Sequence, residues 1–130
     1  LKAKAKELGI EHQIHFLGFR KDVYKISSAA DLFLFASLQE GLPVALMEAM
    51  ACGLPIVASK VRGNYDLIDQ GKGGYLVAPL DVDGFVKAIH KITENKERLE
   101  KMKQYNLRKV QKYSIEAVVE QMADLYEDMM

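Results

Sequence analysis

Residues 29–59 read AADLFLFASLQEGLPVALMEAMACGLPIVAS, and this stretch decides the fold. The short apolar run within 31–36 suits a strand that is buried on both faces of a parallel sheet. A loop over 37–42 follows, and then a helix over 43–52 that is opened by a proline and closed by a glycine. Residues 56–59 form a second short apolar strand. The stretch therefore predicts a strand–helix–strand unit, whose strands are parallel and whose crossover is right-handed.

The same alternation of helices and strands continues on both sides of this unit, and there is no repeat or low-complexity linker. It predicts the α/β class, with a Rossmann-like parallel sheet flanked by helices. Ligands of such sheets bind at the carboxyl ends of the strands, where the loop over 37–42 lies. The further predicted strands cover 12–19 and 74–78, and the further predicted helices cover 2–8, 21–30, 65–69, 81–95 and 96 to the end, with a break near 113 and 114. In the helix over 21–30, the pattern predicts that Val23, Tyr24 and Ile26 face inward.

Composition excludes several classes of protein. At 130 residues, with 49% hydrophobic residues, the chain is long enough to bury the core of one domain. Lys plus Arg equals Asp plus Glu at 18 each, so no overall positive field attracts nucleic acid or anionic lipid. One cysteine forms no internal disulfide, which favours a reducing, cytoplasmic compartment. Nothing at the start of the given sequence resembles a signal peptide, and no apolar run in it approaches the roughly 20 residues that cross a bilayer.

Two glutamates flank the start of the predicted helix over 43–52. The N-terminus of a helix offers free N–H groups and a partial positive charge, which together can bind a phosphate without Lys or Arg. Glu40 precedes this site, and Glu48 lies about a turn and a half into the helix, among small side chains, so we expect its carboxylate on an open face of the helix. We expect their carboxylates on the order of 10 Å apart, further than a glycosidase pair. They suit one long ligand with a diphosphate in the middle, although the residues alone also allow a loop glutamate and a solvated helix glutamate.

The motif EGLPVALMEAMACGLP (40–55) resembles the signature of the retaining glycosyltransferases of family 4, which have the GT-B fold. Further matches are HFLGFRKDV (15–23), AADLFLFAS (29–37), RGN (62–64) and GGYLVAP (73–79). Together they cover nearly the whole chain in order. The RGN turn, which replaces the commoner Gly-Gly followed by Pro-Glu, is similar to that of bacterial capsule and exopolysaccharide enzymes and leaves a role for Asp66 open.

The resemblance implies a role for each matched residue. Glu40 corresponds to the catalytic-site glutamate that binds the hydroxyls of the donor sugar, and Glu48 to the glutamate that binds the ribose. The N–H groups after Glu40 correspond to those lining the sugar and the diphosphate, and the segment 19–21 to the loop whose main chain contacts the nucleobase. The donor-binding residues implied in this way are Gly41, Leu42, Val44, Glu48, Phe19, Arg20 and Lys21.

The resemblance also implies what the chain needs in order to act. Residues 1–130 correspond to the C-terminal, nucleotide-sugar-binding domain, without its first strands and without the N-terminal acceptor-binding domain of the same polypeptide. The expected donor is a UDP- or GDP-sugar, with no other cofactor and no metal, and the fragment alone is expected to be inactive. The full-length protein is expected in the cytoplasm, with contact to the inner face of the membrane only through the missing domain. Two alternatives stay open: an inactive nucleotide-binding regulatory module, and the donor half of a sucrose- or trehalose-phosphate-type synthase.

Other candidate residues are assigned structural roles. Asp81 and Asp83 form a D-x-D pair, but they open a predicted helix, where capping favours Asp. Cys52 is expected to pack near a helix end, and Lys60 and Arg62 are weak candidates for ligand contact. The three histidines, His12, His15 and His90, have no partner at ligand spacing. An apolar stripe near the C-terminus, which relatives pack against the partner domain, comprises Ile115, Val118, Val119, Met122, Leu125, Tyr126 and Met129.

Overall fold

A three-stranded parallel sheet with helices on both faces forms the centre of the protein, whose computed structural model describes residues 1–129. The strands lie in the order β1 (Phe33–Phe35), β2 (Ile56–Ser59) and β3 (Gly74–Val77), with Ile56 opposite Phe33 on one side and Gly74 on the other. The predicted α/β class with a parallel sheet is confirmed. The helices are α1 (Lys2–Glu7), α2 (Val23–Ser28), α3 (Val44–Ala51), α4 (Asn64–Leu67), α5 (Val82–Thr93), α6 (Lys96–Lys109) and α7 (Ile115–Asp128), and two 3-10 turns cover Glu11–Gln13 and Val110–Tyr113.

The central strand β2 is buried along its whole length, as its four apolar or small residues predict. Its side chains alternate between two apolar clusters because successive residues of a strand point to opposite faces. Ile56 and Ala58 lie in the cluster that includes α3, whereas Val57 lies in the cluster that includes α5 and α6. The sheet thus holds α3 on one face and the α5–α6 pair on the other.

The predicted limits of helix α3 and the predicted cap of helix α5 are confirmed. Pro43 stands in an extended conformation directly before α3, and Gly53, with φ +74°, follows its end. The predicted range of 43–52 is correct to within one residue. The carboxylate of Asp81 accepts a hydrogen bond of 2.9 Å from the N–H of Gly84, so Asp81 caps α5 as predicted.

The predicted strand over 12–19 is wrong. A 3-10 turn occupies Glu11–Gln13, and residues 14–19 belong to no strand. A strand needs a neighbour for its backbone hydrogen bonds, and within residues 1–129 this segment has none, because β1 pairs with β2 alone. The segment is also poorly covered: the side chain of Phe19 is 89% exposed.

Two predictions of burial are also wrong. Strand β1 is not buried on both faces, since α5 packs against β2 and β3 and leaves Leu34 51% exposed. In α2, which packs against α3, Val23 and Tyr24 are exposed and Ile26 is half-buried. Pattern alone indicated an inward face for all three, but a six-residue helix presents little of its surface to its neighbour.

The apolar stripe of α7 is exposed along the described chain. Helix α7 begins after Ser114, whose hydroxyl accepts a hydrogen bond of 3.1 Å from the N–H of Ala117. The predicted break near 113 and 114 is therefore confirmed. No helix within residues 1–129 is both long and apolar enough to cross a bilayer.

Asp69, in the turn between α4 and β3, attaches this turn to α6. Its carboxylate accepts hydrogen bonds from the ammonium of Lys109, at 2.9 Å, and from the hydroxyl of Tyr105. The bond from Lys109, and then that from Tyr105, lower the pKa of Asp69 below its ordinary value of 3.8. The same contact with Asp69 raises the pKa of Tyr105.

We therefore expect Asp69→Asn to lower the free energy of unfolding by about 1 kcal/mol at neutral pH, a small value because solvent screens a partly exposed pair. A depressed carboxylate pKa stabilises the fold above the unfolded-state pKa, and this contribution is lost as the pH falls through the folded-state pKa. Urea unfolding should therefore separate the two proteins at pH 7 and bring them together below pH 3.8. Asp124→Asn, at an exposed position of α7, is the control. A difference that persists in acid would contradict this account.

Candidate functional site

The start of α3 exposes a group of free backbone N–H groups at the carboxyl end of β1. Within residues 1–129, the N–H groups of Gly41, Leu42, Val44 and Ala45 have no hydrogen-bond acceptor, and all four residues are exposed. The carbonyl of Pro43, by contrast, accepts from two N–H groups of the helix. Together with the partial positive charge of a helix N-terminus, these donors suit an anion that approaches from solvent.

Glu40 is attached to the end of the sheet through Ser37. The hydroxyl of Ser37 donates to Oε1 of Glu40 at 2.7 Å, and the N–H of Ser37 donates to Oγ of Ser59 at 2.9 Å. Ser59, the last residue of β2, is fully buried. Glu40 is half-buried and directly precedes the exposed N–H groups in the chain.

The turn over 62–64 supports this loop from the other side. Gly63 has φ +87°, and a Cβ at this position would lie 1.6 Å from the carbonyl oxygen of Gly41. Asn64, which is fully buried, donates from Nδ2 to the carbonyl of Ser59 at 2.9 Å. The contact between Gly63 and Gly41 was not predicted from the sequence, where its only signal is the unusual glycine of the RGN turn.

Glu48 lies on the exposed side of α3, as predicted, and lines a groove between α3 and the segment before α2. The groove has a volume of about 380 Å³ and brings Glu48 together with Arg20 and Lys21, which are 27 or more positions away in the sequence. Phe19 does not line it. The full lining is Arg20, Lys21, Val23, Tyr24, Ser27, Glu48, Ala51 and Cys52.

Arg20 is held at the groove by Asp22, which sequence reasoning did not single out. Its Nε and one terminal nitrogen donate to the two carboxylate oxygens of Asp22, each at 2.8 Å. This bond from Arg20 lowers the pKa of Asp22, and the same bond raises the pKa of Arg20. Because the two hydrogen bonds are parallel and join two planar groups, they fix the orientation of the guanidinium as well as its position.

Comparison with known proteins identifies the family. The family description "Glycosyl transferases group 1" matches residues 1–109. The chain belongs to the group 1 glycosyltransferases. Among curated relatives, it is 32% identical over 123 residues to the UDP-Gal:alpha-D-GlcNAc-diphosphoundecaprenol alpha-1,3-galactosyltransferase of Escherichia coli, covering 95% of this chain and 32% of that protein. It is 30% identical to the putative glycosyltransferase EpsD of Bacillus subtilis, covering 94% and 32%.

Solved structures show the same fold for this group 1 glycosyltransferase chain. The structure of Anabaena Alr3699/HepE in complex with UDP superposes with a TM-score of 0.90 at 26% identity, over 97% of this chain and 35% of that one. The sucrose-phosphate synthase of Thermosynechococcus elongatus superposes with a TM-score of 0.88 at 27% identity, over 98% and 33%. The GT-B type is therefore confirmed, and the chain spans about a third of the length of these relatives.

The remaining candidates of the group 1 chain lie away from this site or have structural contacts. Within residues 1–129 no three His, Cys, Asp or Glu residues are placed to hold a metal ion. Cys52 lines the groove, with its thiol 3.9 Å from the carbonyl of Tyr24, and His90 lies 3.3 Å from Glu94 on an exposed helix face. Lys60 and Arg62 are exposed. A larger cavity of about 660 Å³ lies along α6 and contains none of the candidate donor-binding residues.

Proposed function

We propose that this chain is the donor-binding part of a retaining glycosyltransferase, which transfers a sugar from a nucleoside-diphosphate sugar to a glycan or lipid-linked acceptor in polysaccharide biosynthesis. One observation carries the proposal: along one loop and helix, the exposed N–H groups at the start of α3 follow directly after Glu40 and precede Glu48, which lines a groove. A diphosphate at these N–H groups would extend its sugar toward Glu40 and its ribose toward Glu48.

Each end of the donor then lies beside a carboxylate that can accept hydrogen bonds from its hydroxyls. A carboxylate accepts hydrogen bonds from sugar or ribose hydroxyls, and its charge strengthens them. The nucleobase lies in the groove beside Arg20 and Lys21, and the N–H groups of Gly41, Leu42 and Val44 contact the sugar and diphosphate.

The start of α3 also contributes to the chemical step. As the bond to the sugar breaks, the helix N-terminus stabilises the charge that develops on the departing diphosphate. In this scheme N–H groups, and not a metal ion, stabilise the charge on the diphosphate. Solved relatives in complex with UDP, and with UDP-glucose, support a UDP-sugar as the donor.

The acceptor is bound elsewhere in the full-length protein. The chain spans about a third of its relatives, so we assign acceptor binding to a second domain of the same polypeptide and expect no transfer by this chain alone. The Escherichia coli relative is named for a lipid-linked diphosphate acceptor, which supports an acceptor of this class. We place the full-length protein in the cytoplasm, with contact to the inner face of the membrane through the second domain.

A synthase that uses a soluble sugar phosphate as acceptor is the second candidate, because the sucrose-phosphate synthase superposes almost as well as the UDP complex. Transfer assays with the full-length protein distinguish the two: label that moves from a UDP-sugar into a lipid-linked or glycan acceptor supports the first, and label that moves into a sugar phosphate supports the second. A protein that binds the donor and transfers to neither acceptor class would fit a regulatory module.

Donor binding itself is tested with Glu48→Ala. We expect this substitution to weaken the binding of UDP about tenfold, because two ribose hydroxyls lose a charged acceptor. Isothermal titration calorimetry with UDP on the full-length protein measures the effect. Glu120→Ala removes the same charge from an exposed position on α7 and should leave the Kd unchanged. A Glu48→Ala protein with the affinity of the unmodified protein would remove the ribose role.

A further inference from the structure

Glu40 lies in a loop, and a loop carboxylate by itself has several rotamers available. The structure shows one contact that restricts it: the hydroxyl of Ser37 donates to Oε1 at 2.7 Å. This bond turns one carboxylate oxygen toward Ser37, and among the described residues no group donates to the other oxygen, which can therefore accept from a substrate hydroxyl. The two residues are three positions apart and both are half-buried, so water competes for the bond less than it would at a fully exposed site.

Ser37 is fixed in turn by the buried end of the sheet. Its N–H donates to the hydroxyl oxygen of Ser59 at 2.9 Å, and Asn64 donates to the main-chain carbonyl of Ser59 at the same distance. Ser59 and Asn64 are both fully buried, whereas Glu40 is partly open to solvent. A continuous set of hydrogen bonds therefore runs from the core, through Ser37, to the carboxylate.

We propose that Ser37 is a positioning residue for Glu40, and that Ser59 and Asn64 hold Ser37 in place. The inference rests on the proposed function, because it takes Glu40 as the residue that binds the donor sugar. Ser37 reduces the orientational freedom of the carboxylate before the donor arrives, so that less of the binding free energy is spent on ordering it. It has no direct contact with the nucleotide in this scheme.

The test compares two ligands on the full-length protein, UDP and the UDP-sugar that it transfers. Ser37→Ala should leave the Kd of UDP unchanged, weaken the UDP-sugar relative to UDP, and lower kcat about tenfold, the size of one lost hydrogen bond to a charged group. Ser37→Thr retains the hydroxyl and should restore both quantities. Ser37→Cys, which keeps the size but donates weakly, should resemble Ser37→Ala and serves if the alanine variant does not fold. Thr93→Ala, which removes an exposed hydroxyl at the end of α5, outside the lining of the groove, is the control.

The outcomes separate the two proposals. An active enzyme in which Ser37→Ala and Ser37→Cys keep both kcat and the preference for the UDP-sugar overturns the positioning role and leaves the proposed function standing. Equal weakening of UDP and the UDP-sugar also overturns it, because the residue would then support the whole loop. An unmodified protein that neither binds UDP nor transfers a sugar overturns the proposed function itself.

Discussion

Glu40→Gln in the full-length protein is expected to lower kcat by about 100-fold, a loss comparable to that of one preorganised group at a reacting centre. The amide keeps the shape of the side chain and an oxygen that can accept from Ser37. It loses the negative charge that strengthens the bonds to the sugar hydroxyls and replaces one acceptor by a donor. The sugar should therefore bind in a less productive orientation.

The measurement is steady-state transfer from a UDP-sugar, with urea unfolding to follow the fold. Stability should stay close to that of the unmodified protein, since Glu40 is half-buried and lies outside both apolar clusters. Gln39→Ala, at the exposed neighbouring position, controls for changes in the loop. A Glu40→Gln enzyme with unchanged turnover would remove the catalytic-site role from this residue.

Gly63→Ala is expected to destabilise the fold by about 3 kcal/mol and to abolish tight donor binding. The substitution places a methyl group 1.6 Å from the carbonyl oxygen of Gly41, so the loop that carries Glu40 must move. It also places a side chain at φ +87°, a backbone conformation that costs about 1–3 kcal/mol for residues other than glycine. Both effects act on the segment that presents the N–H groups.

Gly71→Ala is the matched control for this variant. Gly71 has a similar φ of +78°, but no atom lies within 4 Å of the Cβ that the substitution would add. The control therefore carries the same kind of backbone strain, about 1–3 kcal/mol, without the collision, and it should bind UDP normally. The difference between the two variants, in urea unfolding and in calorimetry, isolates the contact between Gly63 and Gly41. Equal effects would show that this contact has no part in holding the loop.

The sequence predicted the elements that have their own start and stop signals. Helix α3 is bounded by Pro43 and Gly53, and α5 by Asp81, and these elements appear within one or two residues of their predicted limits. Strand β2 was predicted from four consecutive residues that suit full burial, and it is fully buried. These signals are local, because a cap or a fixed φ acts on the residues beside it.

Predictions that needed a neighbour in space were less successful. Within residues 1–129, the segment 14–19 has a strand-like pattern but pairs with no strand, and Leu34, which was expected in the core, is 51% exposed. In the site, Glu48 was expected on an open face of α3 and lies on one. It lines the same groove as Arg20 and Lys21. The resemblance to the family implied that these residues bind one donor, whereas their distance along the sequence gave no sign of it. The roles of Glu40 and Glu48 in donor binding stay predictions.

The parallel α/β class and the limits of α3 could be predicted from the sequence alone, because periodicity, caps and glycine or proline positions are properties of neighbouring residues. The hydrogen bonds that link Ser37, Ser59 and Asn64, and the packing of Gly63 against Gly41, became visible only in the folded chain. These contacts join the ends of β1 and β2 with a turn that follows them. Which residues meet there depends on how the strands pair in the sheet, and no local pattern encodes that pairing.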